Sequence, residues 1–175
     1  GRRLWISGDG EWGQKMQDDK DDGARWLVEQ GIAHPDRIAI WGYSYGGFAA
    51  FAATVREDGP FKCAIAGAGV SNLERLGNLW GSNRIQRKFQ GRTVDGMDPM
   101  ENTDKANIPI LIYHGDRDTR VELYHSRDFY NAVKDRTNAE LVVIKDMPHS
   151  YPWWPEHFEQ KFEAVEDFLT GTCDL

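Results

Sequence analysis

The sequence lacks long apolar segments and any excess of basic charge. No apolar run among its 175 residues approaches the roughly 20 residues that a membrane-spanning helix needs. With 28 acidic and 21 basic side chains the net charge is −7, which argues against a nucleic-acid-binding surface and against an anionic membrane surface. We therefore expect no nucleic-acid partner and no membrane span.

Repeats, low-complexity linkers and cysteines are also scarce. An apolar content of 40% and a charged content of 28% are typical of a globular chain, and this length normally forms one domain with a real core. No leader peptide is predicted, because only a short apolar piece follows Gly1–Arg3. Since the sequence does not begin with Met, this does not decide the compartment.

No metal or cofactor site is predicted. Four residues of an acidic segment fall on calcium-loop positions, namely Asp18, Asp22, Gly23 and Glu29. However, Lys20 occupies a ligand position and Arg25 replaces an apolar residue. The segment is therefore interpreted as the solvated acidic face of a helix.

The most informative stretch is residues 41–47, which reads Trp-Gly-Tyr-Ser-Tyr-Gly-Gly and contains the pattern G-x-S-x-G. An apolar run of strand length precedes it at 37–41, and an Ala-rich apolar run follows at 48–55. This strand–turn–helix context is the one in which the pattern forms a nucleophile turn, with Ser44 on a strained backbone at the edge of a sheet. The alternative is a Gly-rich turn with an incidental Ser.

Three glycines in this stretch each have a predicted reason. We expect that a Cβ at Gly42 or Gly46 would strike the neighbouring strand or helix. Gly47 would then allow the start of the helix to approach closely.

Strands and helices alternate along the chain. Strands are predicted at 37–41, 61–66, 108–113 and 140–145. Helices are predicted at 14–30, 71–90 (as short pieces), 122–134 and 156–169, and residues 1–13, with four Gly, as a loop. This alternation predicts an α/β fold, a mostly parallel sheet with helices on both faces.

A base and an acid that would serve Ser44 follow later strands. Functional residues of such sheets gather at the carboxyl ends of the strands. Among 5 His, only His149 follows both a strand and a candidate acid. Asp118 and Asp116 both follow the third strand, and periodicity does not separate them. The order Ser44, Asp118, His149 is that of the α/β-hydrolases, in which the backbone N–H after the Ser, here that of Tyr45, supports the oxyanion.

The chain resembles the C-terminal part of the catalytic domain of prolyl oligopeptidase family serine peptidases. Matching residues run through nearly the whole chain: Gly10–Gly13 with Asp18 and Asp19, Asp36–Ile38, Gly42–Gly47, His114 and Gly115 with Asp118 and Val121, and His149. The resemblance implies an acyl-enzyme peptidase acting on short peptides, with Asp118 as the acid. Many members have Gly where this chain has Ser150.

The resemblance also implies parts of the family domain that this sequence does not contain. Further strands, a β-propeller and a second oxyanion donor (a Tyr in many members) would belong upstream of Gly1. The strand at 37–41 would then be an exposed apolar edge, which needs a partner strand. That strand would come from a longer chain or from a second copy in a homo-oligomer.

Substrate contacts are expected from two groups of residues. The resemblance implies that Arg120 binds a substrate carbonyl, as an Arg or Asn does in some members. Four further residues are candidates for an apolar substrate pocket, namely Val70, Leu73, Leu76 and Trp80. For Leu73 and Leu76 the alternative is a cap helix that packs on the core.

The resemblance extends to the two cysteines. The dipeptidyl-peptidase branch of the family has Cys residues at places similar to Cys63 and Cys173, joined as a disulfide. Such a bridge would place the protein in the periplasm or outside the cell. The alternative is two free thiols, one of them buried.

Three functions remain open from the sequence. The first is a serine peptidase, the second a carboxylesterase that uses the same triad on esters, and the third a hydrolase fragment that folds but does not turn over substrate.

Overall fold

A computed structural model describes residues 1–75 and 94–175. Its helices are α1 (Arg2–Ile6), α2 (Lys15–Glu29), α3 (Tyr45–Thr54), α4 (Tyr124–Val133) and α5 (Pro155–Asp167). Its strands are β1 (Ala39–Tyr43), β2 (Cys63–Gly67), β3 (Ile110–Gly115) and β4 (Ala139–Ile144). A 3₁₀ helix covers Pro99–Lys105, and a π turn covers Phe168–Thr172.

The four strands form one parallel sheet in the order β1-β2-β3-β4. Every residue of β2 and β3 is buried, as expected for central strands that helices cover on both faces. The predicted α/β class is confirmed. The sheet brings the carboxyl ends of all four strands to one edge, where the loops that follow them meet.

Alternate residues of the strands feed two apolar cores. On one face Ile110 and Ile112 pack with Phe51 of α3 and Phe129 of α4, whose rings lie 4.4 Å apart. On the other face Leu111 and Tyr113 of β3 pack with residues of β4, α5 and the chain end, among them Ile144, Val165 and Phe168. The period of two along each strand therefore decides which helix layer each side chain meets.

A disulfide joins the first residue of β2 to the segment after the π turn. Cys63 and Cys173 are 110 residues apart in sequence, and their Cα atoms lie 5.9 Å apart, within the usual range for a bridge. Both cysteines are buried in the core on the α5 face. The predicted pairing is confirmed.

The expectation that residues 1–13 form a loop was wrong for Arg2–Ile6, which form a helical turn. The helical turn can form because no Gly or Pro lies within Arg2–Ile6, whereas Gly8, Gly10 and Gly13 all follow it. Most of the predicted helical stretch 71–90 lies outside the described residues.

β1 lies at an edge of the sheet in the described part of the chain, where it pairs with β2 alone. Its Trp41 side chain is 45% exposed. Across residues 1–75 and 94–175, no helix has the length and apolarity that crossing a membrane requires.

Candidate active site

Ser44 occupies the sharp turn between β1 and α3. Its backbone angles are φ 59° and ψ −115°, a strained conformation for a residue with a Cβ. The main chain is held on both sides, because Ser44 N donates to Gly67 O at 2.8 Å and Phe48 N donates to Ser44 O at 3.0 Å. The strained turn predicted for this Ser is present.

Two of the three glycine expectations are met. A Cβ at Gly42 would overlap the main chain of Gly46, and one at Gly47 would lie 2.6 Å from Gly67 O. The expectation for Gly46 was wrong, because no atom lies within 4 Å of where its Cβ would stand. Gly46 is instead the neighbour that a side chain at Gly42 would strike.

His149 links Ser44 to Asp118. Its Nε2 lies 2.9 Å from Ser44 Oγ, and its Nδ1 lies 2.6 Å from Asp118 Oδ2. Asp116 has a different partner, since its Oδ1 accepts from Asp146 N at 2.7 Å. Of the two candidate acids, Asp118 is therefore the one that contacts His149.

Asp118 is a buried carboxylate surrounded by donors. Its Oδ1 accepts from the backbone N–H groups of Arg120 and Val121, both at 2.9 Å. Burial alone would raise the pKa of Asp118, but hydrogen bonds from His114 and His149 outweigh burial and hold the pKa well below its usual range. The group is consequently a charged acceptor at neutral pH.

Two aromatic residues that the sequence reasoning missed hold the His149 loop. The Tyr43 hydroxyl donates to the main-chain carbonyl of His149 at 2.9 Å, and the two rings lie 5.2 Å apart. Trp153 Nε1 donates to Pro148 O at 2.9 Å. The sequence did carry a signal for Tyr43, because this residue directly precedes Ser44. Burial, followed by the nearby charge of Asp118, raises the pKa of the Tyr43 phenol.

Tyr45 and Arg120 both lie beside this group. Tyr45 is the first residue of α3, and its ring packs edge-on against Trp12 with centroids 4.6 Å apart. Arg120 is exposed and lines a cleft of about 550 Å³ that is also lined by His149 and Tyr113. Their predicted roles, as oxyanion donor and substrate contact, stay predictions.

The predicted apolar pocket residues fall into two groups. Val70 and Leu73 are 4% and 9% exposed and pack with Phe48 and Val121. Leu76 and Trp80 lie outside the described residues. A substrate contact from any of the four stays a prediction. Among the described residues, no cluster of three or more His, Cys, Asp or Glu side chains is placed to hold a metal ion.

A parallel sheet that carries a strained Ser turn after one strand, an Asp after the third and a His after the fourth defines an α/β-hydrolase. Comparison with known proteins narrows the class. The sequence model of the prolyl oligopeptidase family (Peptidase_S9) matches residues 1–173, and the chain belongs to this family.

Individual relatives agree with this assignment. The dipeptidyl aminopeptidase BIII of Pseudoxanthomonas mexicana is 30% identical over 187 residues, which cover 99% of this chain and 27% of the relative. Dipeptidyl peptidase family member 6 of Caenorhabditis elegans is 29% identical over an alignment of 184 residues, which covers 97% of this chain and 25% of the relative. This chain thus spans about a quarter of the length of these relatives.

A solved structure supports the fold independently. The puromycin-hydrolyzing peptidase of Mycobacterium tuberculosis superposes with a TM-score of 0.77 at 23% identity, covering 93% of this chain and 26% of the other. At this identity the likeness is evidence for the fold alone.

Proposed function

We propose that this chain supplies the catalytic centre of a serine peptidase that hydrolyses short peptides through an acyl-enzyme. The observation that carries the proposal is the continuous contact from Ser44 Oγ through the His149 ring to the Asp118 carboxylate, with distances of 2.9 and 2.6 Å. Hydrogen-bond reach between a nucleophile and a base, and between that base and an orienting group, is the geometry such catalysis requires.

Each member has a distinct task in the proposed reaction. Ser44 Oγ attacks the scissile carbonyl while His149 Nε2 takes the hydroxyl proton. The backbone N–H of Tyr45 donates to the oxyanion that forms. His149 then gives its proton to the leaving amine, and a water molecule, activated by the same ring, releases the acyl group from Ser44. Asp118 keeps the His149 proton on Nδ1 throughout.

Peptides are the substrate class that family membership and the chemistry of the cleft favour. Both sequence relatives described above are named as dipeptidyl peptidases or aminopeptidases. Arg120 offers several N–H donors beside the cleft, and such donors can hold a peptide carbonyl or a terminal carboxylate. Comparing turnover of peptide arylamides with turnover of simple esters separates this proposal from a carboxylesterase, which would hydrolyse the esters alone.

The nucleophile is tested with a fluorophosphonate probe on the intact protein. We expect labelling and peptide hydrolysis to disappear in Ser44→Ala, with kcat lowered by roughly 10⁴ or more. Ser150→Ala is the matched control, because this exposed serine follows His149 directly. The Ser150→Ala protein should still be labelled, since Ser44 is intact. Labelling that survives in Ser44→Ala would remove the proposal.

The acid is tested by a matched pair on one loop. Asp118→Asn should lower kcat by about 10⁴, because an amide at this position favours the wrong His149 tautomer. Asp116→Asn should leave kcat nearly unchanged, since Asp116 contacts the backbone of Asp146 instead. A severe loss in Asp116→Asn with a mild one in Asp118→Asn would reverse the assignment.

A further inference from the structure

A second buried imidazole lies behind Asp118, and the proposed mechanism does not use it. His114 is the fifth residue of β3, and its side chain is fully buried. Its Nε2 lies 2.8 Å from Val121 O and 3.3 Å from Asp118 Oδ2. Because a carbonyl and a carboxylate oxygen only accept hydrogen bonds, Nε2 must carry a proton that it shares between them.

The other nitrogen of the ring contacts a buried hydroxyl. His114 Nδ1 lies 2.7 Å from Ser126 Oγ of α4, and Ser126 is also fully buried. Among the described residues, Ser126 Oγ makes no other hydrogen bond. A buried hydroxyl needs an acceptor for its proton, and Nδ1 provides one. With Nδ1 accepting, the single ring proton of a neutral His114 resides on Nε2.

Two imidazoles therefore converge on one oxygen atom. Asp118 Oδ2 accepts from His149 Nδ1 at 2.6 Å and lies 3.3 Å from His114 Nε2, while Oδ1 is taken by two backbone N–H groups. The backbone contacts fix one end of the carboxylate. His114 acts on the other end, the one that faces His149.

We propose that His114 is a positioning residue that holds Asp118 Oδ2 in place for His149, and that Ser126 fixes the ring tautomer that allows this. The inference rests on the proposed function, because it gives Asp118 the orienting role described above. The same contacts tie the end of β3 to α4 and to the loop that carries Asp118 and Arg120. At metal sites, removing the outer partner that orients a ligand typically lowers activity roughly 10–100-fold, and we expect a loss on that scale here.

The test compares substitutions of His114 in the intact protein, with kcat, KM and the pH profile of kcat/KM as readouts. His114→Phe should lower kcat roughly 10–100-fold while KM changes little, because the substrate is not touched. The acid limb of the profile should move to higher pH, since the carboxylate with one donor fewer is a stronger base. Ser126→Ala should change kcat and the acid limb in the same directions as His114→Phe, but by smaller amounts.

Conservative variants keep the test decisive if His114→Phe fails to fold. A Gln amide nitrogen reaches the position of Nε2, whereas an Asn amide nitrogen reaches only that of Nδ1. We therefore expect kcat to be higher in His114→Gln than in His114→Asn. Equal losses in the two variants would overturn the inference.

His125 supplies the matched structural control. It is equally buried and neighbours Ser126, but its ring Nδ1 accepts from Ser71 N, and within the described structure it makes no hydrogen bond to Asp118. His125→Phe should lower the melting temperature and leave the pH profile unchanged. If His114→Phe does the same and nothing more, its role is structural and the inference fails. Turnover that survives in Ser44→Ala would overturn the proposed function and this inference together, whereas turnover lost there but unaltered in His114→Phe would overturn this inference alone.

Discussion

Arg120 offers an exposed guanidinium beside the cleft that His149 also lines. We expect Arg120→Ala to raise KM for peptides about tenfold, because a hydrogen bond from a charged donor contributes roughly 1.5 kcal/mol or more. KM for small esters should change much less, since a small ester lacks the additional carbonyls that Arg120 would hold. Steady-state kinetics on both substrate classes give the answer.

Arg117 is the matched control for that measurement. It lies on the same loop and is exposed, but its guanidinium pairs with Asp146 at 3.2 Å. Arg117→Ala should leave KM for peptides unchanged. Equal effects of Arg120→Ala on peptides and esters would contradict a peptide-binding role.

His125 makes the stability of the fold sensitive to acid. Burial, the largest cause, together with the nearby charge of Arg75, lowers the pKa of His125 to about 4 from its ordinary 6.5. The unfolded chain therefore binds more protons than the native protein between these two values, so stability rises with pH in that window. We expect the free energy of unfolding to fall as the pH drops from 6.5 towards 4, by up to about 1.4 kcal/mol per unit from this group.

Urea unfolding at several pH values measures this effect. His125→Leu should flatten the loss of stability across the window, because a side chain that cannot bind a proton has replaced the imidazole. His34→Gln is the control, since His34 is exposed and should leave the slope as it was. An unchanged slope in His125→Leu would assign the acid sensitivity to other groups.

At the scale of elements, the sequence predicted each of the strands, and most of the helices, that the structure describes, but not all of their bounds or buried faces. Apolar runs located the four described strands to within about two residues, because parallel strands that helices cover on both faces have near-continuous apolar sequences. Helix α2 was harder, since it buries Gln17 and Asp21 while its Trp26 is 53% exposed. Arg56, which lies between α3 and β2, pairs its Nε with Asp21 Oδ2 at 2.8 Å. A pairing between residues so far apart in sequence leaves no periodic pattern in the sequence of α2.

Some residues of the candidate site could likewise be predicted from the sequence, and one contact could not. Ser44 and His149 could be predicted because each follows a strand, and strand order fixes which loops meet. Asp118 was preferred to Asp116 only through the family resemblance, since both follow the same strand. The contact of His114 with Ser126 could not be assigned, because it depends on how α4 packs beside the end of β3. Sequence spacing alone carries no information about that distance.

The turn between β1 and α3 provides a test of close packing at the element scale. Gly47→Ala should destabilise the protein by about 1–3 kcal/mol or more, because its Cβ would lie 2.6 Å from Gly67 O and from Gly69 Cα. Gly46→Ala is the matched control within the same helix, where no atom lies within 4 Å of the new Cβ. It should change stability by no more than about 1 kcal/mol. Thermal unfolding that ranks the two variants the other way would contradict the packing described here.

At the scale of the whole molecule, the disulfide should account for a large share of the stability. Closing a loop between residues 110 positions apart should contribute roughly 4–5 kcal/mol in the chain-entropy model. We expect Cys63→Ser/Cys173→Ser to lower the midpoint of urea unfolding accordingly. The bridge is compatible with an extracytoplasmic location, since disulfides persist in oxidising compartments. Non-reducing mass spectrometry that finds two free thiols in protein never exposed to reductant would remove this argument for location.

The β1 edge gives a second prediction at this scale. In the described sheet β1 has a neighbour on one side, and an open strand edge with an apolar side chain such as Trp41 promotes pairing with another strand. We expect residues 1–175 expressed alone to self-associate, as measured by size-exclusion chromatography with light scattering. Trp41→Lys should reduce self-association, because charge on an edge opposes pairing.

Leu4→Lys is the control for that experiment. Leu4 is 77% exposed but belongs to α1 and lies off the edge, so its replacement should leave the association unchanged. A monodisperse monomer of the unaltered chain would contradict the edge argument.

The order of the strands across the described sheet, from β1 to β4, is also their order along the chain and hence the order in which the ribosome makes them. Each new strand can dock on the one synthesised before it, so the sheet extends at one side while the chain emerges. Ser44 follows β1 directly, but the base that would activate it comes only after β4, at His149. Cys173 emerges later still, so the disulfide to Cys63 can close only after β4 and α5 have been made. In a nascent chain with this layout, Ser44 has no base beside it until the chain has grown by 105 residues, to His149. The proposed catalytic contact therefore forms only after all four strands of the described sheet have been made.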